Sequence, residues 1–500
     1  MKAKIMIIWI STLLIEIIAI NGLYAQDWQL LGDTFESTVF SRFGHATALN
    51  ADGTRIAIGA PLDETLLVDS GKVEVYEWTG VQWTLLGDPI YSDLPIEGGR
   101  FGERIDMDAS GTRLVISEPG YAGVGIARGA VHVYIWSGIE WQLLSKLVGD
   151  ADLDFFGSGD VGISADGSTI VVGSPQYGIA NKGQVKVFVD IGGAFQQLGG
   201  SIVGNTPTDF LGSGVAINED GSRIVIGVQS YTTNTSQDIG AVFIYQWDTD
   251  LNTWVLLGEF FGDQNSRRLG WRVDMDDSGE VVIASAFEYS TNNLPGEAYV
   301  FKEGSSGWEL FDTPILGTQL DLFGWDVAIS GDGSTLAVSA PDIDIVNTGA
   351  GMVFTYRVSG NAIVPYLNPV LGQLALERLG SGLDFNFEGN IFSVGAPYIN
   401  DNLGLARVYK DEILSLSENS PWENTILFPN PTQNEITIQT PEDLHGLTVS
   451  LYDSLGRSIV ISKKLEHTGN QTLILPNDSG VYFLKMTYNG KTITKKIIKE

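Results

Sequence analysis

The sequence contains no cysteine and only four histidines among its 500 residues. A chain without cysteine has no disulfide bridge, no thiolate metal site and no cysteine nucleophile. The four histidines are too few for a histidine-rich metal centre: His45, His132, His445 and His467. The stability of the chain therefore has to come from a buried core, for which 500 residues are ample.

Basic residues are also scarce: 29 Lys and Arg stand against 61 Asp and Glu, which gives a formal net charge of -32. Residues 423–500 hold equal numbers of acids and bases, so the acidic excess lies in the preceding part of the chain. Such an excess repels nucleic acid and anionic membranes. We expect no nucleic-acid partner. Cations, neutral glycans and basic proteins fit the charge, and so does simple solubility of an exported protein.

Long apolar runs are confined to the start of the chain. Lys2 and Lys4 precede an apolar run over residues 5–20, and the small residue Ala25 closes the segment. This pattern predicts a secretory signal peptide over residues 1–25. Glu16 and Leu23 depart from the usual pattern and leave a retained membrane anchor as the alternative. No membrane insertion of the mature chain is expected, because no later stretch is long and apolar enough.

What the sequence does contain is a motif that recurs seven times. Its clearest copy is RFGHATALNADGTRIAIGAP, residues 42–61. Each copy is marked by an anchor glycine, and the anchors recur at a nearly constant spacing: Gly44, Gly102, Gly157, Gly212, Gly270, Gly324 and Gly380. A period of this length, roughly 20–50 residues or slightly more, is typical of a propeller or a solenoid.

Each repeat unit has the pattern of four β-strands. Apolar residues alternate after the anchor glycine, a pair such as Asp52-Gly53 turns the chain, and a second apolar strand follows. The third strand carries an aromatic residue such as Tyr76, and the fourth has a Trp-x-Leu-Leu pattern that begins at Trp83. Four antiparallel strands per unit predict a propeller blade.

The seventh unit has no such fourth strand after Tyr409, whereas the mature chain begins with one at Trp28. We predict that this N-terminal strand pairs with the strand ending near Tyr409 and closes the ring. The expected fold is therefore all-β: a seven-bladed β-propeller over residues 26–411, closed by the N-terminal strand, followed by a smaller domain.

The motif Phe43-Gly44 … Gly59-Ala60-Pro61 resembles the FG-GAP repeat of the integrin α-subunit head, a seven-bladed propeller. The resemblance covers all seven units and implies the fold, but one fold hosts many functions. Calcium-binding repeats of that family hold a D-x-D-x-D-G loop, which is shortened here to Asn50-Ala51-Asp52-Gly53. We therefore expect no metal site and no cofactor. The acidic residues 150–154 leave a cation site and a solvated loop as alternatives.

The C-terminal segment resembles the sorting domain of type IX secretion cargo. The resemblance rests on three ordered motifs: ILFPNP from Ile426, LYDSLGR from Leu451 and GVYFLK from Gly480. It implies that residues 424–500 engage the type IX secretion machinery, that the protein is exported across the outer membrane, and that this domain is removed as the protein is attached to the cell surface. The short alternating strands predict a small Ig-like β-sandwich. Residues 412–423 have the composition of a linker.

We expect function on one face of the ring. The loops between second and third strands, and those from a fourth strand to the next unit, are long, variable and on the same face. A tyrosine recurs just past the second strand and supplies the candidate ligand-binding residues: Tyr121, Tyr177, Tyr231, Tyr289 and Tyr398. They would form an aromatic arc for protein or sugar contacts. The alternative is that each tyrosine packs its own loop.

No catalytic constellation is recognisable. Gly-Ser-Gly recurs at one repeat position, around Ser158, Ser213 and Ser381, without a histidine in a comparable place. We predict a non-enzymatic binding or adhesion propeller, a monomer displayed on the cell surface, with a protein or glycan ligand. The alternatives are a secreted glycan-active hydrolase or lyase that uses carboxylates on the same face, and a structural spacer in a surface layer.

Overall fold

The computed structural model describes residues 27–178, 180–233, 236–287, 295–318, 321–343, 349–411, 426–428, 432–439, 448–453, 458–464, 470–476, 478–488 and 491–499. The chain divides into two compact units, residues 1–411 and 412–500. The predicted signal peptide, the predicted linker and Tyr289 lie outside the described residues. The fold is all-β, and the described helix is a single turn at Ile399–Asn402.

The described part of the first unit contains seven antiparallel sheets of four main strands each, numbered here 1 to 7 in chain order. Sheet 1 comprises Thr47–Leu49, Arg55–Ala60, Lys72–Trp78 and Trp83–Leu85. Sheet 2 comprises Ile105–Met107, Arg113–Glu118, Ala130–Trp136 and Trp141–Val148. Sheet 3 comprises Val161–Ile163, Thr169–Ser174, Gln184–Asp190 and Phe195–Gln197. Sheet 4 comprises Leu211–Ile217, Arg223–Val228, Ala241–Asp248 and Thr253–Phe261. Sheet 5 comprises Leu269–Met275, Val281–Ala286, Glu297–Gly304 and Gly307–Leu310. Sheet 6 comprises Val327–Ile329, Thr335–Ala340, Met352–Ser359 and Ala362–Pro365. Sheet 7 comprises Ser381–Phe385, Ile391–Ala396, Leu405–Asp411 and Trp28–Leu30.

Short strands extend the fourth strand along the third in four of these sheets. They are Phe35–Glu36 in sheet 7, Ile202–Val203 in sheet 3, Ile315–Leu316 in sheet 5 and Val370–Leu371 in sheet 6. In sheets 2 and 4 the fourth strand runs on unbroken, and a register shift marks the same place. The four-strand pattern of the repeat thus corresponds to four-stranded sheets, which gives a propeller-like all-β fold.

The core lies between neighbouring sheets. Second strands are buried on both faces, because each sheet packs against a neighbour on either side; Ile56, Ile170 and Ile224 are fully buried there. One buried cluster, for example, joins Val75 of sheet 1 to Leu114 of sheet 2. This explains why the second strands are continuous apolar runs and not alternating ones.

The turns between first and second strands are joined by a belt of backbone hydrogen bonds. In each sheet an N–H of this turn donates to a carbonyl in the next sheet's turn, over 2.9–3.1 Å. The donors and acceptors are Ala51 to Ala109, Ala109 to Ala165, Ala165 to Glu219, Glu219 to Asp277, Asp277 to Gly331, Asp332 to Phe387 and Phe387 to Ala51. The belt therefore runs from sheet 1 through sheet 7 and back to sheet 1.

The N-terminal strand completes sheet 7. Trp28–Leu30 pairs antiparallel with Leu405–Asp411, with Leu30 opposite Tyr409. The pairing predicted from the sequence is therefore confirmed. A second contact beside it is a parallel bridge between Phe43 and Gly404, which has the same form as the bridges between other neighbouring sheets. A Cβ on Gly404 would lie 2.2 Å from the Phe43 carbonyl oxygen, so this approach requires glycine.

The second unit contains two described sheets. One consists of Ile426–Phe428, Glu435–Gln439 and Asn470–Ile474. The other consists of Ser458–Lys464, Thr448–Asp453, Gly480–Tyr488 and Lys491–Lys499, in that order across the sheet. Both contribute to one core, in which Ile436, Leu473, Val449 and Leu484 are buried together. The strands predicted from alternating residues in this segment are present.

Candidate functional site

A cavity of about 490 Å³ lies where the first strands of the seven sheets meet. Every sheet contributes to its wall, with one lining residue from each in turn: Thr47, Asp106, Val161, Val215, Val273, Val327 and Leu383. A second cavity, of about 120 Å³, lies toward the belt of turns and is lined by Ala51 and Phe387 among others. Asp106, Ile217, Asp274 and Asp384 line both cavities and so lie between them.

The larger cavity reaches the long loops. These loops lie on one face, because backbone hydrogen bonds join the long loops of neighbouring sheets. Examples are Gly98 N to Val68 O at 2.9 Å and Leu153 N to Ile126 O at 2.8 Å. Arg42, Gln176, Gln229 and Tyr398 come from such loops and line the cavity. The long-loop face, as we call this side, therefore holds the mouth of the cavity.

Two tryptophans form an aromatic wall of the cavity. Trp271 and Trp325 each follow the anchor glycine of their sheet, both are half-buried, and their ring centroids lie 6.0 Å apart. The indole N–H of Trp271 donates to the Trp325 carbonyl over 3.1 Å. Phe287 packs 5.2 Å from Trp271 and 5.3 Å from Trp325. Packing against Phe287 therefore restricts the orientations of both tryptophan rings.

Two arginines also line the cavity, one residue beyond those positions. Arg104 donates through Nε to the Gly159 carbonyl over 2.9 Å, and Arg272 donates through Nη1 to the Ser213 carbonyl over 3.3 Å. Their nearest carboxylates are loosely placed: Asp160 is 4.0 Å from Arg104, and Asp326 is 3.8 Å from Arg272. Burial lowers the pKa of Arg272, and the charge of Arg104 lowers it further. The two guanidinium groups are therefore close enough to repel one another.

His45 and Glu103 flank Arg104 at the cavity wall. Arg104 Nη1 lies 3.2 Å from His45 Nε2, and the Glu103 carboxylate lies 3.5 Å from the same nitrogen. Burial lowers the pKa of His45, which favours the neutral ring. Among the described residues, His45 Nδ1 and the Ser158 hydroxyl are buried without a hydrogen-bond partner. Both residues line the cavity, so it holds polar groups that the protein leaves unsatisfied.

Three aspartates form the floor of the larger cavity. Each accepts two backbone hydrogen bonds, one from its own strand and one from the next sheet: Asp106 from Met107 and Ile163, Asp274 from Met275 and Ile329, Asp384 from Phe385 and Leu49. Burial raises the pKa of Asp106 to about 7 and that of Asp274 to about 8. Burial, with the charges of Asp106 and Asp274, raises the pKa of Asp384 well above its usual range.

These raised pKa values predict that stability decreases as the pH rises. Below about pH 4 these carboxyls are protonated in both states. Above that, up to about pH 7 for Asp106 and about pH 8 for Asp274, the proton is kept only in the folded chain, and the raised pKa of Asp384 acts in the same direction. Each group then lowers the free energy of unfolding by up to about 1.4 kcal/mol per pH unit. We expect denaturant titrations between pH 5 and pH 8 to show this decline.

The variant Asp274→Asn tests the assignment. Its amide oxygen accepts only one of the two backbone N–H groups, so we expect a loss of about 1 kcal/mol at pH 5. The decline toward pH 8 should be shallower than in the wild type, because one titrating group is gone. Asp250→Asn, at an exposed turn, is the matched control. An unchanged slope in Asp274→Asn would contradict the account.

The predicted tyrosines lie in different surroundings. Tyr121 is 6% exposed, with the Lys146 ammonium 4.9 Å from its ring centroid. Tyr231 packs against Phe243 and Phe261 in its own sheet. Tyr177 is half-buried. The described tyrosines therefore do not form a continuous exposed arc, and packing of the loop accounts for Tyr121 and Tyr231.

Tyr398 is the predicted tyrosine that lines the cavity. The Arg42 guanidinium lies 5.1 Å from its ring centroid, and that of Arg378 lies 5.9 Å from it. Tyr398 is half-buried at the mouth, on the last long loop of the ring. Ligand contact by the five tyrosines stays a prediction, and Tyr398 has the best placement for it.

The acidic residues 150–154 are engaged within the protein. Asp150 pairs with Lys186 over 2.5 Å, and Asp154 accepts a hydrogen bond from the Ala151 N–H over 2.7 Å. Within the described ranges, no group of three or more His, Asp or Glu side chains is placed to hold a metal ion. These contacts favour the loop interpretation of the acidic run.

Sequence reasoning did not single out Trp271, Arg272, Trp325 or Arg104 as site residues. The available signal is their position one or two residues after the anchor glycines, where the first strand begins. Charged and aromatic residues at positions expected to be buried are such a signal. Which of them line the same cavity depends on how the sheets are arranged in the whole unit, which a repeat pattern does not specify.

Comparison with known proteins identifies the end of the chain. Residues 426–500 match the family model of the secretion system C-terminal sorting domain. No curated protein matches the chain. Among solved structures, a chain described as "Structure of Dos1 propeller" is similar at 13% sequence identity with a TM-score of 0.44, and the match covers 77% of this chain and 96% of that one.

The sorting domain places the protein outside the cell. It indicates handling by the type IX secretion system, export across the outer membrane, and a cell-surface or secreted location. Among the helices of the described residues, none is long and apolar enough to cross a membrane. The sequence prediction of localisation is thereby confirmed.

Proposed function

We propose that the seven sheets are the blades of a closed seven-bladed propeller of the FG-GAP type, and that the second unit is an Ig-like sandwich. The belt of seven turn-to-turn hydrogen bonds supports the ring. The pairing of Trp28–Leu30 with Leu405–Asp411 supports closure by the chain start. The two sheets around one core support the sandwich.

We propose further that the protein is a non-enzymatic binding or adhesion module, acting as a monomer at the cell surface, for a protein or glycan ligand. The observation that carries this proposal is that the long loops and the mouth of the cavity share one face. Cavities of roughly 300–1,000 Å³ with a few convergent polar groups are typical ligand sites. The long-loop face then provides contact area, and the cavity provides specificity.

Exposed aliphatic side chains at the loop tips support contact with a large ligand. Val68, Leu94, Ile126, Leu153 and Leu376 are each more than half exposed, and all lie on long loops. They belong to the loops around sheets 7, 1, 2 and 3, which are consecutive in the ring. Exposed apolar side chains that cluster on one side of a soluble protein commonly mark an interaction surface.

A glycan-active hydrolase is the second candidate, because two carboxyl groups of the cavity wall have opposite pKa shifts. Burial raises the pKa of Asp106 to about 7, whereas the hydrogen bond from His45 and the charge of Arg104 outweigh burial at Glu103 and lower its pKa to about 2. Such divergence is a feature of acid–base pairs. However, both oxygens of Asp106 already accept backbone N–H groups, and Glu103 is engaged with His45. We therefore favour binding without turnover.

The experiment that separates these functions probes the purified full-length protein against an array of glycans and cell-surface proteins. We expect saturable binding to a subset of probes and no product when the bound probes are recovered and analysed by mass spectrometry. Cleaved probes that accumulate with time would establish an enzyme instead. Absence of binding to every probe would favour the structural spacer.

A further inference from the structure

Arg104 and Arg272 have more N–H donors in their guanidinium groups than the described residues around them have acceptors for. A guanidinium has five N–H donors. Within the described residues, the Arg272 guanidinium donates one hydrogen bond, to the Ser213 carbonyl at 3.3 Å, and the nearest carboxylate, Asp326, is 3.8 Å away. Because Arg272 lines the cavity, its remaining N–H donors lie at the cavity wall. A buried cation in this situation favours an anionic acceptor.

The Arg104 guanidinium also lines the cavity. It is bonded to the Gly159 and Glu103 carbonyls, lies 3.2 Å from His45 Nε2, and its nearest carboxylate, Asp160, is 4.0 Å away. The two arginines come from sheets 2 and 5 and repel one another. An anion that accepts from both would remove this repulsion. A carboxylate has two oxygens and matches guanidinium forks in geometry.

The charge state of the floor is compatible with an anion. Asp106, Asp274 and Asp384 have pKa values raised to about 7, to about 8 and well above the usual range, so they are largely neutral under mildly acidic conditions. The arginines Arg42, Arg104 and Arg272 then face Glu103, Asp160 and Asp326 as the main acids of the wall. The floor therefore does not exclude a negatively charged ligand.

The rest of the wall suits a ring with one apolar face and several hydroxyls. Trp271 and Trp325 line the cavity with half-buried indole rings that pack against Phe287, and the Arg272 guanidinium lies 5.5 Å from the Trp271 ring centroid. His45 Nδ1 and the Ser158 hydroxyl are buried polar atoms that lack a partner within the described chain. Aromatic packing together with convergent polar groups is the usual composition of a small-molecule site.

We propose that the cavity binds a carboxylate-bearing sugar, with the carboxylate between Arg104 and Arg272 and the C–H face of the ring on Trp271 and Trp325. This inference rests on the proposed binding function and names the ligand class for the cavity. The sugar would be the terminal residue of a larger glycan, because the cavity opens among the long loops and the remainder of the ligand can leave through them. The hydroxyls would pair with His45 and Ser158.

The test measures binding of two disaccharide probes to the full-length protein by calorimetry at pH 6. One probe ends in a glucuronic acid residue, and the other ends in glucose with the same linkage. We expect the acidic probe to bind more tightly by at least about tenfold, with affinity that decreases as salt is added. Equal affinity for both probes, or no binding of the acidic probe at millimolar concentration, would overturn the proposal.

Arg272→Gln is the decisive variant, with Arg55→Gln as its matched control. Arg55 also bridges two sheets, through the Gly111 carbonyl at 2.9 Å, but it is not a residue of the cavity wall. We expect Arg272→Gln to weaken binding of the acidic probe by at least about thirtyfold and Arg55→Gln to leave it unchanged. Arg272→Lys keeps the charge without the fork and should lose most of the affinity while preserving the fold.

The outcomes separate this inference from the proposed function. If array ligands still bind to Arg272→Gln as to the wild type, the binding module stands and the acidic-sugar site is wrong. If a peptide with a free C-terminal carboxylate binds more tightly than the sugar probe, the ligand class is wrong. If the acidic disaccharide is cleaved, both the inference and the non-enzymatic function fail.

Discussion

Replacement of Trp28 by alanine is expected to lower the free energy of unfolding by about 3–5 kcal/mol, the usual cost of truncating a buried large aromatic side chain. Trp28 is 6% exposed and packs on Phe392, with ring centroids 4.6 Å apart. Its indole N–H donates to the Thr355 hydroxyl of sheet 6 over 3.0 Å. The side chain therefore holds the chain start to two sheets at once. Chemical denaturation measures the loss.

Two variants calibrate that result. Leu30→Ala lies on the same strand, but Leu30 is 40% exposed, so we expect a loss below about 1 kcal/mol. Trp141→Ala removes the equivalent tryptophan of sheet 2, whose indole donates to the Leu86 carbonyl of sheet 1 over 3.0 Å. A similar loss for Trp28→Ala and Trp141→Ala would show that the contact between sheets 6 and 7, made by the chain start, stabilises the protein as much as the contact between sheets 1 and 2. A Trp28→Ala loss no larger than that of Leu30→Ala would contradict the closure.

Deletion of residues 426–500 is expected to reduce cell-surface display to background. These residues form the sorting domain, which indicates handling by the type IX secretion system. The sheets of the first unit have cores of their own, to which the second unit contributes no residue in the described clusters. We therefore expect the truncated protein to fold and to remain inside the cell envelope. Antibody labelling of intact cells, compared with total protein, measures the effect.

A matched pair of substitutions separates sorting from simple truncation. Leu484 is fully buried in the core of the second unit, whereas Thr472, which lies outside the three sequence motifs, is exposed. Leu484→Asp buries an unpaired charge and should unfold this unit and abolish display. Thr472→Ala should leave display unchanged. Wild-type labelling of the truncated chain or of Leu484→Asp would contradict the role of this domain in export.

The strand plan was accessible from sequence because local rules and the repeat agree on it. Gly53 and its equivalents mark the hairpin turns, and alternating apolar residues mark the first strands. The sequence also predicts the closing pair of strands, because the last unit lacks a fourth strand after Tyr409 and a strand of that pattern begins at Trp28. The structure contains this pair. A repeat thus identifies which strands pair, since each unit repeats the same pairing.

The site was less accessible, because it depends on side-chain direction and on residues from distant sheets. Tyr121 was predicted as a ligand contact, yet its side chain lies buried with Lys146 over its ring. Arg104 and Arg272 belong to sheets 2 and 5, far apart in sequence, and line the same cavity only because the first strands of the sheets meet there. The raised pKa of Asp274 likewise follows from burial, which no local pattern specifies.

The proposed binding function requires the first strands of all seven sheets to enclose one cavity, which in turn requires the chain start to complete sheet 7. A disulfide between Gln29→Cys and Lys410→Cys tests this directly. The two residues are exposed partners across the pair of strands, and antiparallel partners lie about 4.5–5.5 Å apart between Cα atoms, within the reach of a disulfide. The natural chain has no cysteine, so no other bridge can form. Mass spectrometry after mild oxidation should show a complete bridge between residues 29 and 410; two thiols that stay free and reactive would contradict the closed ring.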